Sequence, residues 1–214
     1  MAISLEDYFK NPCAQLSTPY WKAKATIIPD NMKIVHDRDF SLLYLNEYDD
    51  EQYFRLYRTL HNTVKVDLMD FSIVTATEKD FETIVFVINK SYTDLHVDIS
   101  QIEGYTNTPV YDKNLWILVN EKENGKCVGC GIADYDSEVE EVILEWIQVL
   151  PAYRNRKIGK AIVNEILSRA QAYAKFATVS GKIDNPTKPE LLYRKCGFTG
   201  NDIWHILRKK DSVI

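Results

Sequence analysis

The chain has 214 residues, 45% of them hydrophobic, 12% aromatic and 27% charged, which excludes disordered, collagen-like and low-complexity scaffolds and leaves enough apolar surface for one large core. Thirty-one acidic against 26 basic residues give a formal charge of −5, which argues against a nucleic-acid partner while leaving room for a local basic cluster that holds a small phosphorylated ligand. No run approaches the ~18 apolar residues of a membrane span, and the opening MAISLEDYFKNPC lacks the basic start and apolar core of a signal peptide, so a soluble, cytoplasmic protein with no membrane partner is expected.

In chain order, Pro12, Pro19 and Pro29 break residues 1–30 into short pieces. Met32 to His36 is a brief β-type run. Leu42 to Tyr48 and Gln52 to Leu60 flank Asp49-Asp50-Glu51 and read as a hairpin with an acidic turn. Residues 1–65 are therefore expected to form an N-terminal, β-rich extension packed on a main domain of residues 66–214. Phe71 to Ala76 predicts a strand, and Thr77 to Asp80 a capped helix start running to about Ser91, with Phe81, Ile84, Val85 and Ile88 on one stripe. A weaker helix begins near Ser100. Leu115 to Val119, Cys127 to Tyr135 and Val142 to Val149 predict three antiparallel strands, the first pair joined at Glu123-Asn124-Gly125. A helix from about Lys157 to Ala174 places Ile158, Ile162, Ile166, Ala170 and Tyr173 on one face. Thr178 to Ile183 is a strand, Pro186 to Cys196 a helix stopped by Gly197, and Ile203 to Leu207 a last strand.

Cys127 and Cys130 have the spacing of a zinc knuckle or redox pair, but no second pair accompanies them, and two small side chains in a buried strand is the better reading. His36, His61, His96 and His205 share no metal-ligand spacing, so no metal is expected. Asp134, Asp136, Glu138, Glu140, Glu141 and Glu145 form an acidic run that reads first as a solvated hairpin and second as a field drawing in a cationic substrate.

The segment from Val149 to Ala161 carries the chemistry. A strand ends, a turn follows, and a helix starts with Arg154, Arg156, Lys157 and Lys160. Positive charge at a helix N-terminus opposes the helix dipole unless an anion sits there, and the exposed amides of such a turn suit a pyrophosphate. The competing reading is a solvated basic patch.

This segment resembles motif A of the GCN5-related N-acetyltransferases (GNATs), Gln/Arg-x-x-Gly-x-Gly/Ala after a strand. Placing Val149, Pro151, Tyr153 and Arg154 on the family's Val-x-Pro-x-Tyr-Arg run makes Gly159 the second glycine and puts Lys157 at the first. Starting instead at Arg156 gives Arg156, Gly159 and Ala161 without mismatch. The first alignment matches both flanks and is preferred. Asn185-Pro186 followed by Leu192-Tyr193-Arg194-Lys195-Cys196-Gly197-Phe198 resembles the family's Asn…Leu-Tyr-x-Lys-x-Gly-Phe ending, and the resemblance as a whole covers about residues 70–208.

The resemblance implies an α/β GNAT fold, a central mixed, mostly antiparallel twisted sheet flanked by helices, that binds acetyl-coenzyme A. It implies acetyl transfer to a primary amine, with the pantetheine arm admitted beside the strand ending at Val149. The expected acceptor is a small-molecule amine. The alternatives are a protein or peptide N-terminus or lysine, or a silent coenzyme-binding sensor, and a homodimer is left open. The implied coenzyme-binding set is Ile147, Val149, Arg154, Asn155, Arg156, Lys157, Ile158, Gly159, Lys160, Asn185 and Tyr193. Tyr193 matches the family's general acid, the Val149 N–H its oxyanion donor. Strand alternation would set Glu145 on the face of Ile147 and Val149 as the candidate general base, although the histone-acetylating branch carries its glutamate two residues earlier, where this chain has Ile143.

Overall fold

A computed structural model describes residues 3–61, 63, 66–92 and 95–210. Lys65, the expected domain boundary, lies outside the described residues. The N-terminal half contains helices α1 (Leu5–Lys10), α2 (Pro12–Gln15) and α3 (Tyr20–Ala25), strands β1 (Met32–His36), β2 (Tyr48–Thr59) and β3 (Phe71–Thr75), and helices α4 (Phe81–Ser91) and α5 (Ile99–Thr106). It is followed by strands β4 (Ile117–Glu121), β5 (Cys127–Asp136) and β6 (Glu141–Val149), helix α6 (Ile158–Ala170), strand β7 (Phe176–Lys182), helix α7 (Pro189–Lys195) and strand β8 (Thr199–Lys209). The fold is α/β, and none of the described helices is long and apolar enough to cross a membrane.

The chain divides into two compact units, residues 1–58 with 178–214, and residues 59–177. In the first, β1 and β2 both pair antiparallel with β8, Ile34 opposite Ile206 on one side and Glu51 opposite Ile206 on the other. The N-terminal segment thus supplies two strands that enclose the C-terminal one. The hairpin expected across residues 42–60 is replaced by a 3₁₀ turn, Leu42–Asn46, and the single 12-residue strand β2. Its acidic residues stay in the strand because they have distant partners: the Asp50 carboxylate bonds His205 Nδ1 at 2.9 Å, and Glu51 accepts from Lys182 Nζ at 3.1 Å. Arg55 is buried at 1% exposure, its guanidinium donating to the Tyr8 and Thr178 hydroxyls at 3.4 Å and to Ser180 Oγ at 3.3 Å.

The second unit is layered. β3, β4, β5 and β6 run antiparallel in that order. Alternation sends Trp116, Leu118, Cys130 and Ile132 to one face, where they pack with Phe81, Ile84, Val87 and Ile88 of α4 and Ile102 of α5. The start of α4 is fixed as the sequence predicts, by a capping box in which the Asp80 carboxylate accepts from the Thr77 N–H at 2.8 Å. The opposite face receives α6, which comes so close that a Cβ on Gly131 would lie 2.9 Å from Ile166 Cδ1, and one on Gly129 3.5 Å from Ile158 Cγ2. Of the α6 face expected at Ile158, Ile162, Ile166, Ala170 and Tyr173, the first four are buried, while the helix stops at Ala170, short of the expected Ala174, and Tyr173 lies half-buried in the turn beyond it.

Candidate active site

β6 reaches the site through a bulge. Ile132 opposes Trp146 and the next residue, Ala133, opposes Leu144, so Glu145 is an inserted residue. Ile147 and Val149 share the α6 face, being opposite Gly131 and Gly129, but the alternation expected to carry Glu145 with them is interrupted at Glu145 itself. Glu145 is half-buried. The Leu150 N–H donates to Val128 O at 2.9 Å, which makes Gly129 and Val149 a pair without mutual hydrogen bonds. The N–H and C=O of Val149, and by the same alternation those of Ile147, therefore point away from β5.

After β6 comes a 3₁₀ turn, Pro151–Tyr153, and then two left-handed residues, Asn155 at φ 64° and Lys157 at φ 62°, before α6. Lys157 thus adopts, without being glycine, the conformation that suits the glycine expected at its place. No side chain caps α6. Its first-turn amides, at Ile158, Gly159 and Lys160, have no partner within the helix and carry the positive end of the dipole. The left-handed residues Asn155 and Lys157 lie directly ahead of them.

The four cations divide into two pairs. Arg154 is half-buried and turned inward, Nε donating to Val149 O at 3.3 Å and Nη2 to Ser91 O at 3.1 Å. Arg156 lies over the Phe71 ring, 4.7 Å from its centroid, and reaches Asp70 at 3.5 Å. Tyr153 braces the turn by donating to Glu121 at 3.0 Å. Lys157 and Lys160 are exposed, with no ion pair among the described residues. The charge available to an anion therefore narrows to these two lysines. Ile158 is buried at 1% exposure and Gly159 half-buried, so they offer main chain rather than side chain.

Asn185 and Tyr193 belong to the other unit. The Asn185 carboxamide oxygen accepts from the Thr187 N–H at 2.9 Å and hydroxyl at 2.8 Å, fixing the turn before α7. Tyr193, on α7, is buried at 7% exposure between Phe54 and Phe198, with centroids 6.3 and 5.9 Å away. Gly197, at φ 84°, ends that helix as expected, its N–H donating to Arg194 O.

The acidic run lies on the expected hairpin, between β5 and β6, with Glu138 exposed at its tip, but most of its carboxylates are not solvated. Asp134, Asp136 and Glu141 are buried at 6%, 4% and 0% exposure, and Glu140 pairs with Lys175, so these carboxylates are structural rather than a surface field. Burial pushes the Cys127 and Cys130 thiols up, which suppresses the thiolate that metal binding or redox exchange needs. Sequence reasoning missed one feature: Gln148 Nε2 donates to the Tyr92 hydroxyl at 3.0 Å, beside Val149 and at the end of α4. The polar Gln148 in an otherwise apolar strand end, Ile147 to Leu150, is the signal that could have found it.

A strand, a tight turn and an uncapped helix start with two exposed lysines thus meet in one loop. Residues 112–200 match the family model of the acetyltransferase (GNAT) domain. That match places residues 112–200 in the GCN5-related N-acetyltransferase superfamily. No curated protein sequence matches it. Among solved structures it is similar to a GCN5-related N-acetyltransferase from Sphaerobacter thermophilus, with TM-score 0.70 and 16% identity over 89% of this chain and 64% of that one. A GNAT-family acetyltransferase from Colwellia psychrerythraea gives TM-score 0.58 and 16% identity over 83% and 64% of the two chains. The ribosomal-protein-S18-alanine N-acetyltransferase of Escherichia coli gives TM-score 0.51 and 14% identity over 67% and 98%. The chain thus spans about 64% of the length of the first two, and likeness at these identities establishes the fold.

Proposed function

We propose that the chain is an acetyl-coenzyme A-dependent N-acetyltransferase that delivers the acetyl group to the primary amine of a small molecule by direct attack in a ternary complex. The observation that carries the reading is the loop between β6 and α6: two left-handed residues, an uncapped helix start, and Lys157 and Lys160 with no anionic partner among the described residues. These features fit a pyrophosphate, held by the amides of Asn155 to Lys160 and the two ammonium groups. The coenzyme supplies an acetyl group activated as a thioester. The main-chain groups of Ile147 and Val149, turned away from β5, suit pairing with an amide-bearing arm.

Three roles remain for this chain. The Val149 N–H donates to the carbonyl oxygen as negative charge builds on it. Tyr193, matching the tyrosine of the second motif, holds the proton that the departing thiolate takes up. Glu145, at the bulge, accepts the proton of the attacking ammonium directly or through water. The motif match of Tyr193 and the position of Glu145 on β6 support these assignments.

A second reading, acetylation of a peptide N-terminus, is suggested by the likeness to the ribosomal-protein-S18-alanine N-acetyltransferase, whose chain is covered at 98%. Release of free thiol from acetyl-coenzyme A, measured across a panel of small amines and peptides with free N-termini, separates the two. Turnover with small amines supports the first reading and turnover with peptides alone the second. Binding of coenzyme A without thiol release for any acceptor identifies a silent binding module.

A further inference from the structure

Arg154 holds the first position of the basic cluster, yet its guanidinium faces the protein. One donor, Nε, reaches the Val149 carbonyl at the end of β6, and another, Nη2, reaches the Ser91 carbonyl at the last residue of α4. The Ser91 carbonyl is among the four at a helix C-terminus that lack an intrahelical partner, and it lies at the negative end of the α4 dipole, where a cation is stabilised. The planar fork of an arginine presents separate donors in fixed directions and so spans two carbonyls from one side chain. The next residue, Tyr92, accepts a hydrogen bond from Gln148, which directly precedes Val149. The end of α4 is thereby tied twice to the end of β6, once through Arg154 and once through Gln148.

We propose that Arg154 is a positioning residue that couples the phosphate-binding loop to the end of α4, and does not itself contact the coenzyme phosphates. An anion that fixes the loop fixes the backbone of Arg154, and the guanidinium passes that constraint to Ser91 and Tyr92, so that coenzyme binding orders the wall beside Val149 before the acceptor arrives. The inference rests on the coenzyme reading above for its trigger; the tie itself does not.

The test uses the full chain, Arg154→Gln and Arg154→Lys variants, coenzyme A as the probe, calorimetry for affinity, and hydrogen exchange of the last turn of α4, Ile88 to Ser91. In wild type, coenzyme A is expected to slow exchange there at least fivefold. In Arg154→Gln that slowing disappears, exchange without ligand speeds up, and the dissociation constant for coenzyme A rises less than threefold. Arg154→Lys keeps the charge but loses the fork, so it does not restore the slowing. A rise of tenfold or more in the dissociation constant for Arg154→Gln, reversed in Arg154→Lys, makes Arg154 a phosphate ligand and overturns the proposal. Undiminished slowing in both variants overturns it as well. If wild type gives no heat with coenzyme A, the coenzyme reading fails; faster exchange at α4 in ligand-free Arg154→Gln then still supports the tie, and unchanged exchange removes it. Should Arg154→Gln fail to fold, Arg154→Lys carries the same comparison.

Discussion

Lys157→Gly is the most informative substitution in the loop, because it changes strain and charge in opposite directions. Lys157 sits at φ 62°, ψ 5° as the residue before α6, with no side-chain cap to compensate. A residue with a Cβ in the left-handed region costs about 1–2 kcal/mol. Glycine removes that cost but gives the unfolded chain more freedom, returning about 0.5–1 kcal/mol. The net expectation is a gain of about 0.5–1 kcal/mol, which for a domain of this size raises Tm by about 1–4 °C. The same change deletes an exposed ammonium, and an exposed charge pair is worth about 0.2–1 kcal/mol, so affinity for coenzyme A falls by up to about fivefold and becomes less sensitive to salt. Lys157→Ala separates the two effects, keeping the strain while losing the charge: its Tm should stay near that of wild type and its affinity should match Lys157→Gly. Thermal unfolding followed by circular dichroism, with calorimetric titration of coenzyme A at two ionic strengths, reads both. A lower Tm for Lys157→Gly, or an equal gain in Lys157→Ala, would refute the strain argument.

The remaining predictions address the neighbouring parts of the same unit. Lys160→Gln should weaken coenzyme A binding about two- to fivefold in calorimetry at low salt, with the difference shrinking at high salt. Gly131→Ala drives a Cβ against Ile162 and to 2.9 Å from Ile166 on α6, so chemical denaturation should show a loss of about 1–3 kcal/mol from overpacking. The Tyr173 hydroxyl, raised above its usual pKa first by burial and then by its 2.7 Å hydrogen bond to Asp112, contributes stability that is full below the unfolded value of about 10 and is lost as pH rises beyond it; the alkaline fall of Tm should therefore be shallower in Tyr173→Phe, which starts about 1–3 kcal/mol less stable at neutral pH. Glu145→Gln should lower kcat at least tenfold with little change in Tm, because the inserted backbone residue remains; equal loss of stability and rate would assign Glu145 a structural role instead.

Local signals were readable where their cause is local. The Thr77 capping box, the Met32 to His36 strand and the Gly197 helix stop all depend on residues within a few positions, and the structure places them as expected. The Asp49 to Glu51 triplet was misread as a turn because the partners that hold it in β2, His205 and Lys182, lie 155 residues from Asp50 and 131 from Glu51. The acidic run was misread for a related reason. Alternation puts Asp134 and Asp136 into a strand whose neighbours bury them, and no window of sequence reveals that. At the site, the basic cluster was legible as charge, but the division between Arg154 and Arg156, which have partners in the protein, and the two lysines depends on Ser91, Asp70 and Phe71, all remote in sequence.

The bulge and the loop belong to one arrangement. Counting back from Val149, strict alternation would set Ile147, Glu145 and Ile143 on the face covered by α6. The insertion instead assigns Leu144 and Val142 to that face, opposite Ala133 and Tyr135, and Ile143 to the other. A carboxylate is thereby kept in mid-strand without being driven under α6, where its desolvation would cost several kcal/mol. Downstream of it, Ile147 and Val149 turn their main chain away from β5, and the chain then passes through Asn155 and Lys157, two of the four non-glycine residues with positive φ among those described. Each such residue costs about 1–3 kcal/mol and persists only where its surroundings determine it. Here they are determined on both sides, by Arg154 bonded to two carbonyls before them and by the buried Ile158 after them. Irregularity is concentrated between Glu145 and Lys157, on a strand and a helix that are otherwise regular and well packed. On the proposed reading, that is where main-chain donors must be held in fixed positions for the coenzyme to meet.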